Sequence, residues 1–392
     1  MKKYSYIIIG GGMTAGSAIS GIREIDKSGP ILAISKENAL PYNRPPLSKK
    51  LWTGGEEQNI YLDFDENNVD FQLNTQVLSI NPELKRVVVS SGDVFSYEKL
   101  LLATGGSVKQ LPFGRDDLIH YYRTIEDYHS LKSLTKQKRN FAVIGAGFIG
   151  SEIAAALAIN GMQATLIEAG PGIGWKVFPE DLVQFLNDYY REKGVTILAG
   201  VNIESLERTE HGIEIIFDKS DALMVEAVIA GVGIMPNVEL AQDCELAVQD
   251  GIQVNEILQT SEPSIFSAGD VANFYSPILD RRIRVEHTDN AQTMGKTAGR
   301  NMADANDPYT YLPLFYSDMF DLGYEAVGIL DSRLETFADW QEKYQKGVVY
   351  YLEDGRVVGV LLWNVWGKTD AAREVIGSKK TFSGDDLKGL IV

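Results

Sequence analysis

The chain has 392 residues, of which 44% are hydrophobic and 23% are charged, and its formal net charge is −17. This length is too great for one ordinary hydrophobic core, so two or three domains are expected. The composition is that of a globular protein, and the negative charge argues against non-specific nucleic-acid binding, which relies on a cationic surface. The single cysteine, Cys244, excludes a redox-active disulfide within the chain, because that chemistry needs two thiols.

The apolar runs of the sequence, such as Tyr6–Ile9 and Leu100–Ala103, are far too short to span a bilayer. Only three residues precede the first strand-like run at Tyr4, which leaves no room for a signal or transit peptide. We therefore expect a cytoplasmic protein with no transmembrane segment. No metal site is predicted.

The first elements in chain order are predicted to be a strand, a glycine turn, a helix and a second strand. Tyr6–Ile9 is apolar, Gly10-Gly11-Gly12-Met13-Thr14-Ala15 matches G-x-G-x-x-G/A, and helical periodicity covers Ala15–Ile25. In this motif the second glycine lets the backbone approach a pyrophosphate, and the helix N-terminus supplies unpaired N–H donors. The pattern predicts a dinucleotide site. Glu37, which follows the strand Ile31–Ser35, is our candidate for the adenosine ribose.

Short segments with alternating polarity follow, and they are predicted to form antiparallel hairpins. These segments are Val69–Val77, Arg86–Val89 and Val94–Tyr97. Leu100–Ala103 is then predicted as a buried strand that ends in Thr104-Gly105-Gly106.

The same order of elements recurs later in the chain. The strand Phe141–Ile144 leads into Gly145-Ala146-Gly147-Phe148-Ile149-Gly150, a full motif match, and then into the helix Ser151–Ile159. The next strand, Ala164–Ile167, ends at Glu168. A carboxylate at this position accepts hydrogen bonds from both ribose hydroxyls and repels a 2′-phosphate, so NADH is favoured over NADPH. The alternative is that Glu168 is a solvated residue at a strand end.

The remaining segments complete the two nucleotide-binding units and begin a third region from Tyr309 onwards. Further hairpins are predicted over Ile203–Arg208, Gly212–Asp218 and Ala222–Ile229, followed by the strand Ser264–Gly269 and the helix Ala291–Ala303. The third region is strand-rich, with strands predicted over Tyr324–Leu330, Lys346–Glu353 and Arg356–Leu362 and a helix over Asp370–Ile376.

Two dinucleotide motifs, the Thr104-Gly105-Gly106 strand end and Phe266-Ser267-Ala268-Gly269-Asp270, in this order, resemble the FAD-dependent pyridine nucleotide oxidoreductases. The resemblance implies an α/β fold of two interleaved Rossmann-like nucleotide-binding domains, similar to glutathione reductase, with a smaller C-terminal α+β domain. The implied domains are 1–115 with 251–309 for FAD, 116–250 for NAD, and 310–392. In this family the carboxylate that corresponds to Asp270 bonds the ribityl chain of FAD.

The branch of the family is indicated by Leu40-Pro41-Tyr42-Asn43-Arg44-Pro45-Pro46-Leu47-Ser48-Lys49. Relatives that use a disulfide carry a catalytic cysteine in this region, and this chain has none. The string is similar to that of the ferredoxin/rubredoxin reductases and of apoptosis-inducing factor. It implies that Lys49 points at the flavin ring, held by Glu152, and that both are catalytic. The alternative for Arg44 and Lys49 is a solvated surface pair.

The closer resemblance is to apoptosis-inducing factor, through Phe315–Asp318, Gly323–Gly328, Lys346–Leu352 and Val358–Asn364. Together with the motifs, it gives the full sets of expected cofactor contacts. The FAD contacts are Gly10, Gly12, Met13, Thr14, Ala15, Glu37, Arg44, Lys49, Val77, Thr104, Gly105, Arg123, Asp270, Glu286, His287 and Tyr316. The NAD contacts are Gly145, Gly147, Phe148, Ile149, Gly150, Glu168, Lys176, Gly233, Glu325 and Asn364.

The chain departs from apoptosis-inducing factor at several points. Tyr316 stands where that family stacks a tryptophan, and Lys36 replaces an acidic contact to the FAD ribose. A long regulatory insertion is reduced to about Asp331–Gln345. Arg282 matches one arginine of the dimer interface but lacks its usual companions, so the expected state is a monomer or a homodimer.

Two functions are consistent with these features. In the first, hydride passes from NADH to flavin N5 and the electrons go to an external acceptor, which is a small iron–sulfur protein (ferredoxin or rubredoxin), a quinone or oxygen. In the second, the protein resembles apoptosis-inducing factor in being a slow, redox-responsive protein whose reduced flavin–NAD complex controls its association with partners. We favour the reductase.

Overall fold

A computed structural model describes residues 1–114 and 116–391, which form two compact units. The first unit comprises Met1–Arg44, Glu57–Ser107 and Met235–Leu314. The second comprises Pro45–Glu56, Val108–Ile234 and Phe315–Val392. The predicted NAD-binding and C-terminal domains lie largely in this one unit, and the three-domain assignment stays a prediction. Two of the points at which the chain passes between the units lie in short strands, Gly106–Val108 and Ile234–Pro236.

The first unit is built on a seven-stranded sheet with a parallel centre. In spatial order its strands are Val69–Gln72, Ile31–Ile34, Lys2–Ile9, Val94–Leu102, Arg86–Val89 and Val77–Asn81, with Ile265–Ser267 paired to Leu100–Leu102. Alternate residues of Lys2–Ile9 enter two different clusters, Tyr6 and Ile8 on one face and Ile7 and Ile9 on the other. Both faces are therefore buried, as is usual for a parallel sheet.

Two predicted hairpin strands are each divided in the structure, and both predictions were wrong in the same way. The segment over Val69–Val77 contains Val69–Gln72, which extends the parallel sheet, and the start of Val77–Asn81, which pairs antiparallel with Arg86–Val89. Ala222–Ile229 likewise becomes Leu223–Val225 in an antiparallel sheet and Ala227–Ala230 in a parallel one. Alternating polarity identifies a strand but does not specify the direction of its neighbour.

Two helices of the first unit, Met13–Ile25 and Thr288–Met302, pack with their backbones in close approach. A Cβ atom on Gly295 would lie 2.5 Å from the carbonyl oxygen of Thr14, and one on Gly299 would lie 2.1 Å from that of Ala18. These glycines therefore hold the helix that follows the first glycine turn against its neighbour. The unit is completed by the helix Glu239–Asp243 and a four-stranded sheet of Val248–Gln249, Gly251–Gln253, Ala272–Ser276 and Arg281–Arg284.

Replacing Gly299 by alanine is expected to destabilise the first unit by about 1–3 kcal/mol, because the new methyl group overlaps a backbone atom that has no room to move. Chemical denaturation of the variant measures this loss. Gly377→Ala is the control, because a Cβ there meets no described atom within 4 Å. Equal stability of the two variants would contradict the proposed packing role.

The second unit has a five-stranded parallel sheet. In spatial order its strands are Val195–Ala199, Gln163–Glu168, Asn140–Ile144, Ala227–Ala230 and Ile119–Tyr121. An antiparallel sheet of Ile203–Thr209, Gly212–Phe217 and Leu223–Val225 accompanies it. The α-helices of this unit are Ile125–Leu134, Phe148–Ile159, Glu180–Glu192, Thr369–Gly377 and Gly384–Leu387, and two short 3-10 helices, Pro45–Ser48 and Lys50–Trp52, lie on either side of Lys49. Across residues 1–114 and 116–391, no helix has the length and apolar character that crossing a membrane requires.

The C-terminal part of the second unit is a five-stranded sheet. Its spatial order is Leu314–Met319, Leu322–Gly328, Arg356–Trp363, Lys346–Glu353 and Glu335–Glu342. The last strand lies within Asp331–Gln345, which the sequence had suggested only as the remnant of an insertion. It pairs antiparallel with Lys346–Glu353, so this segment is one half of a hairpin.

Candidate functional site

The first glycine turn leaves space at the start of a helix. Gly10 has φ +135°, and a Cβ on it would lie 2.1 Å from the carbonyl oxygen of Ala103, so no larger residue fits. Gly12 has an ordinary φ of −90°, and a Cβ there would approach one described atom within 4 Å, Nη2 of Arg44 at 3.8 Å. Gly12 is also the N-cap of Met13–Ile25, and no side chain caps this helix within the described residues. Open space, uncapped N–H groups and a guanidinium fit a pyrophosphate.

Arg44 is held at this turn by a partly buried polar cluster. Its Nη2 donates to Oε1 of Glu37 at 2.5 Å, and the Tyr42 hydroxyl donates to Oε2 of Glu37 at 2.6 Å. Glu37 therefore positions Arg44, while its predicted contact with the adenosine ribose stays a prediction. Sequence reasoning missed Tyr42, although it stands two positions from Arg44 in the string that identified the branch.

Replacing Arg44 by methionine is expected to weaken FAD binding by about 10- to 100-fold, because a hydrogen bond to a charged group contributes about 1.5–3 kcal/mol. The dissociation constant of FAD, measured by reconstituting the apoprotein, tests this. Because the variant also leaves Glu37 without its cation, Arg44→Met/Glu37→Gln serves as the control. Unchanged FAD affinity in both variants would remove Arg44 from the site.

Three other expected FAD contacts of the first unit are Asp270, Glu286 and His287. Asp270 follows Ile265–Ser267, and Arg284 donates both to its carbonyl oxygen at 3.0 Å and to Oε1 of Glu286 at 2.6 Å. Sequence reasoning missed Arg284. Burial lowers the pKa of His287 to about 4, against the opposing charge of Asp270, so this imidazole is neutral at pH 7.

Several expected FAD contacts have side chains that serve the protein core or a loop. Val77 and the run Met13-Thr14-Ala15 are buried, so these residues offer a ligand mainly their backbone. The Thr104 hydroxyl donates to the carbonyl oxygen of Asn237 at 2.8 Å, and the next residue, Gly105, has φ +61°. Arg282, which matches an arginine of the dimer interface in apoptosis-inducing factor, also has a partner within the protein. It donates to the carbonyl oxygen of Asn273 at 3.0 Å.

The second glycine turn has the same construction. Gly145 has φ +95°, and a Cβ on Gly150 would lie 1.8 Å from the carbonyl oxygen of Gly145, so both positions require glycine. Gly147, with φ −75°, is the N-cap of Phe148–Ile159, and a Cβ there would meet no described atom within 4 Å. Gly147 therefore faces open space rather than protein, as the approach of a second pyrophosphate requires. Beside it, Ile149 is 41% exposed.

Glu168 lies at this second turn. Its Oε2 accepts a hydrogen bond from the backbone N–H of Ala146 at 2.8 Å, and its Oε1 accepts from the N–H of Gly170 at 3.0 Å and from Nε1 of Trp175 at 3.2 Å. Glu168 is the last residue of its strand and is partly exposed, but its carboxylate is held by these three donors, and its contact with a ribose stays a prediction. Sequence reasoning missed Trp175, because an indole in a loop carries no motif.

The other expected NAD contacts are divided between exposed and structural positions. Lys176 is exposed, and Gly233 has φ +90°.

The Asn364 side chain accepts from the N–H of Gly323 and donates to the carbonyl oxygen of Gln345, both at 2.8 Å. In the same region, Oε2 of Glu325 accepts from the N–H of Gly367 at 2.9 Å. Phe148 packs against Phe315, with ring centroids 5.6 Å apart. Any contact of these residues with NAD stays a prediction.

Lys49 and Glu152 meet in the second unit, with Nζ of Lys49 3.0 Å from Oε1 of Glu152. The side chains of Lys49 and Glu152 are only 12% and 5% exposed. Since the side chain of Arg44 is only 19% exposed, Arg44 and Lys49 are not a solvated surface pair. The Ser48 and Ser317 hydroxyls donate to the two carboxylate oxygens of Glu152, each at 2.5 Å. The ring centroid of Tyr316 lies 4.5 Å from Nζ of Lys49. Sequence reasoning named Lys49, Glu152 and Tyr316 but neither serine.

Arg123 precedes the helix Ile125–Leu134, and its backbone N–H donates to Oδ2 of Asp127 at 2.9 Å. The capping box of Thr124 and Asp127 starts this helix, so the backbone of Arg123 is part of a well-defined turn. A contact between its side chain and FAD stays a prediction.

Profiles of two known families match the chain. The profile described as pyridine nucleotide-disulphide oxidoreductase matches residues 4–295. The chain belongs to this family. A second profile, for the C-terminal region of mitochondrion-associated apoptosis-inducing factor, matches residues 298–342 and 338–378. The protein is therefore an oxidoreductase that uses FAD and NAD(H), as the two glycine turns indicate.

Relatives from both predicted branches cover nearly the whole chain. Apoptosis-inducing factor 1 of Dictyostelium discoideum is 34% identical over 100% of this chain and 81% of its own length. The ferredoxin–NAD(+) reductase component of the anthranilate 1,2-dioxygenase system of Burkholderia cepacia is 31% identical over 96% of this chain and 95% of its own. The reductase in a covalent putidaredoxin reductase–putidaredoxin complex superposes with a TM-score of 0.90, at 28% identity, over 98% of this chain and 95% of that chain.

The single cysteine separates this member of the family from those that use a disulfide. Cys244 is half-buried, its Sγ lies 3.5 Å from the carbonyl oxygen of Ile80, and burial raises the pKa of its thiol. A thiol whose pKa is raised is a poor nucleophile, because the thiolate is the reactive form. Electrons therefore leave the flavin of this protein without an internal disulfide.

Proposed function

We propose that this flavin oxidoreductase transfers electrons from NADH to a small iron–sulfur protein. The observation that carries the proposal is the agreement in fold and sequence with a ferredoxin–NAD(+) reductase component and with putidaredoxin reductase, both of which are similar to the chain over nearly all of its residues.

The segment Asp331–Gln345 supports the reductase over the slow, redox-responsive alternative. In apoptosis-inducing factor, as the sequence comparison implied, regulation depends on a long insertion at this place. Here most of the segment is the strand Glu335–Glu342, and Gln345 donates its N–H to the carbonyl oxygen of Glu342 in a tight turn. Because the strand within this segment is paired with its neighbour, the segment leaves little chain for a conformational switch.

The residues at the two glycine turns have distinct proposed tasks. Gly12 and Arg44 would hold the FAD pyrophosphate and Asp270 its ribityl chain, while Gly147 and Glu168 would hold the pyrophosphate and ribose of NADH. Bound together, the two cofactors would supply hydride-transfer chemistry, from NADH to FAD.

Lys49, held by Glu152, would supply a positive charge to this reaction. Ser48 and Ser317 each take one carboxylate oxygen of Glu152, which fixes that carboxylate and, through it, the ammonium group of Lys49. A cation held in place in a largely buried position stabilises negative charge more than a mobile one in water. The ring of Tyr316, beside Lys49, would stack against a cofactor ring and so orient it.

The rate of reoxidation of the NADH-reduced protein tests the proposed acceptor. Stopped-flow mixing with a ferredoxin, a rubredoxin, a soluble quinone and oxygen should give the fastest turnover with one of the iron–sulfur proteins. A Cys244→Ser variant, tested in parallel, should keep the same rates because no thiol takes part. Slow oxidation by every acceptor, with a long-lived charge-transfer absorbance band, would support the redox-responsive alternative.

A further inference from the structure

The carboxylate of Glu168 is held in one orientation by three donors that come from two segments. The N–H of Ala146 belongs to the glycine turn, whereas the N–H of Gly170 and the indole Nε1 of Trp175 belong to the loop that follows Glu168. Of these three donors, Trp175 alone acts through its side chain. It is therefore the one donor that a substitution can remove without disturbing the backbone.

The loop around Trp175 is fastened on both sides of the indole. The N–H of Gly174 donates to the carbonyl oxygen of Ala146 at 2.9 Å, and the carbonyl oxygen of Lys176 accepts from the N–H of Ser332 at 3.0 Å. The indole ring also lies against Gly170, where a Cβ would come within 2.3 Å of Nε1 of Trp175. A ring anchored in this way holds Glu168 rather than moving with it.

We propose that Trp175 is a specificity-determining residue for NADH over NADPH. This inference rests on the proposed role of Glu168 at the NADH ribose. The indole N–H keeps the carboxylate charge at the second glycine turn, where it accepts from ribose hydroxyls and repels the charge of a 2′-phosphate. Lys176 lies next to the ring, with Nζ 5.4 Å from an indole ring centroid. Without the indole N–H, the carboxylate keeps only its two backbone donors, is held less firmly, and opposes a 2′-phosphate less while the exposed Lys176 stays in place.

The test uses the FAD-loaded protein and the variant Trp175→Phe, which keeps an aromatic ring and removes the N–H. The ratio of kcat/KM for NADH to that for NADPH should fall by about tenfold, in keeping with the loss of one hydrogen bond to a charged group. The change should lie in KM, with kcat for NADH preserved. Calorimetric binding of NAD⁺ and NADP⁺ to the oxidised protein should show the same shift without turnover. Trp340→Phe, at a half-buried tryptophan of the same unit, should leave the ratio unchanged.

Two further variants separate the possible outcomes. Trp175→His keeps a ring N–H and should recover part of the discrimination, and it carries the test if Trp175→Phe does not fold. Glu168→Gln removes the charge and should lower the ratio further. A wild-type ratio in Trp175→Phe with a lowered ratio in Glu168→Gln would overturn the inference and leave the proposed NADH site intact. Wild-type ratios in both would overturn the role of Glu168, and the inference with it.

Discussion

Replacing Gly147 by alanine is expected to weaken the binding of NADH severely while the protein folds normally. The backbone at Gly147 has φ −75°, which any residue adopts, and its Cβ would meet no described atom within 4 Å. The added methyl group therefore costs the fold less than about 1 kcal/mol. It occupies the space through which the backbone approaches a pyrophosphate, so KM for NADH should rise by at least about 100-fold, or about 2.7 kcal/mol.

Steady-state kinetics, together with thermal unfolding and the flavin content of the purified protein, separate a lost binding site from a damaged fold. Gly377→Ala is the matched control, because a methyl group there also enters open space but lies in a different part of the second unit. Gly12→Ala should instead lower the FAD content, since its methyl group fills the space at the first glycine turn. A Gly147→Ala enzyme with a normal KM would show that the second turn does not bind NADH.

Replacing Lys49 by methionine is expected to slow reduction of the bound flavin by NADH by about 100-fold or more, with FAD retained. Removing one preorganised group that stabilises developing charge typically costs this much. The variant should also be less stable, by about 3–5 kcal/mol, because Glu152 is 5% exposed and would be left as a buried charge without its cation. Stopped-flow absorbance of the flavin measures the rate, and denaturant titration measures the stability.

The double variant Lys49→Met/Glu152→Gln distinguishes these two effects. It removes both charges, and the amide oxygen of the introduced glutamine can still accept a hydrogen bond from one of the two serines, so most of the stability should return. The reduction rate should stay low, because the cation is still missing. A wild-type rate in either variant would show that Lys49 is not the catalytic cation.

The glycine turns were predictable because their geometry is local. A strand, a residue with positive φ and a helix N-terminus follow one another within a few residues at Gly10–Ala15 and again at Gly145–Gly150, so consecutive sequence specifies them. The family resemblance added Lys49 and Glu152, which are far apart in the chain, and the structure brings them together. It did not add Ser48 or Ser317, because serine is common and these two residues are meaningful only as partners of one carboxylate.

The sequence alone determined that the chain carries two dinucleotide turns, one cysteine and a lysine in the string after Arg44, and these features assign the family and exclude an internal disulfide. Tertiary structure decided which strand joins which sheet at Val69–Gln72 and Ala227–Ala230, and which side chain orients Glu168. The physical reason is that polarity and backbone preference act over neighbouring residues. The partners of a strand or a buried carboxylate are chosen by packing between segments that are remote in the chain.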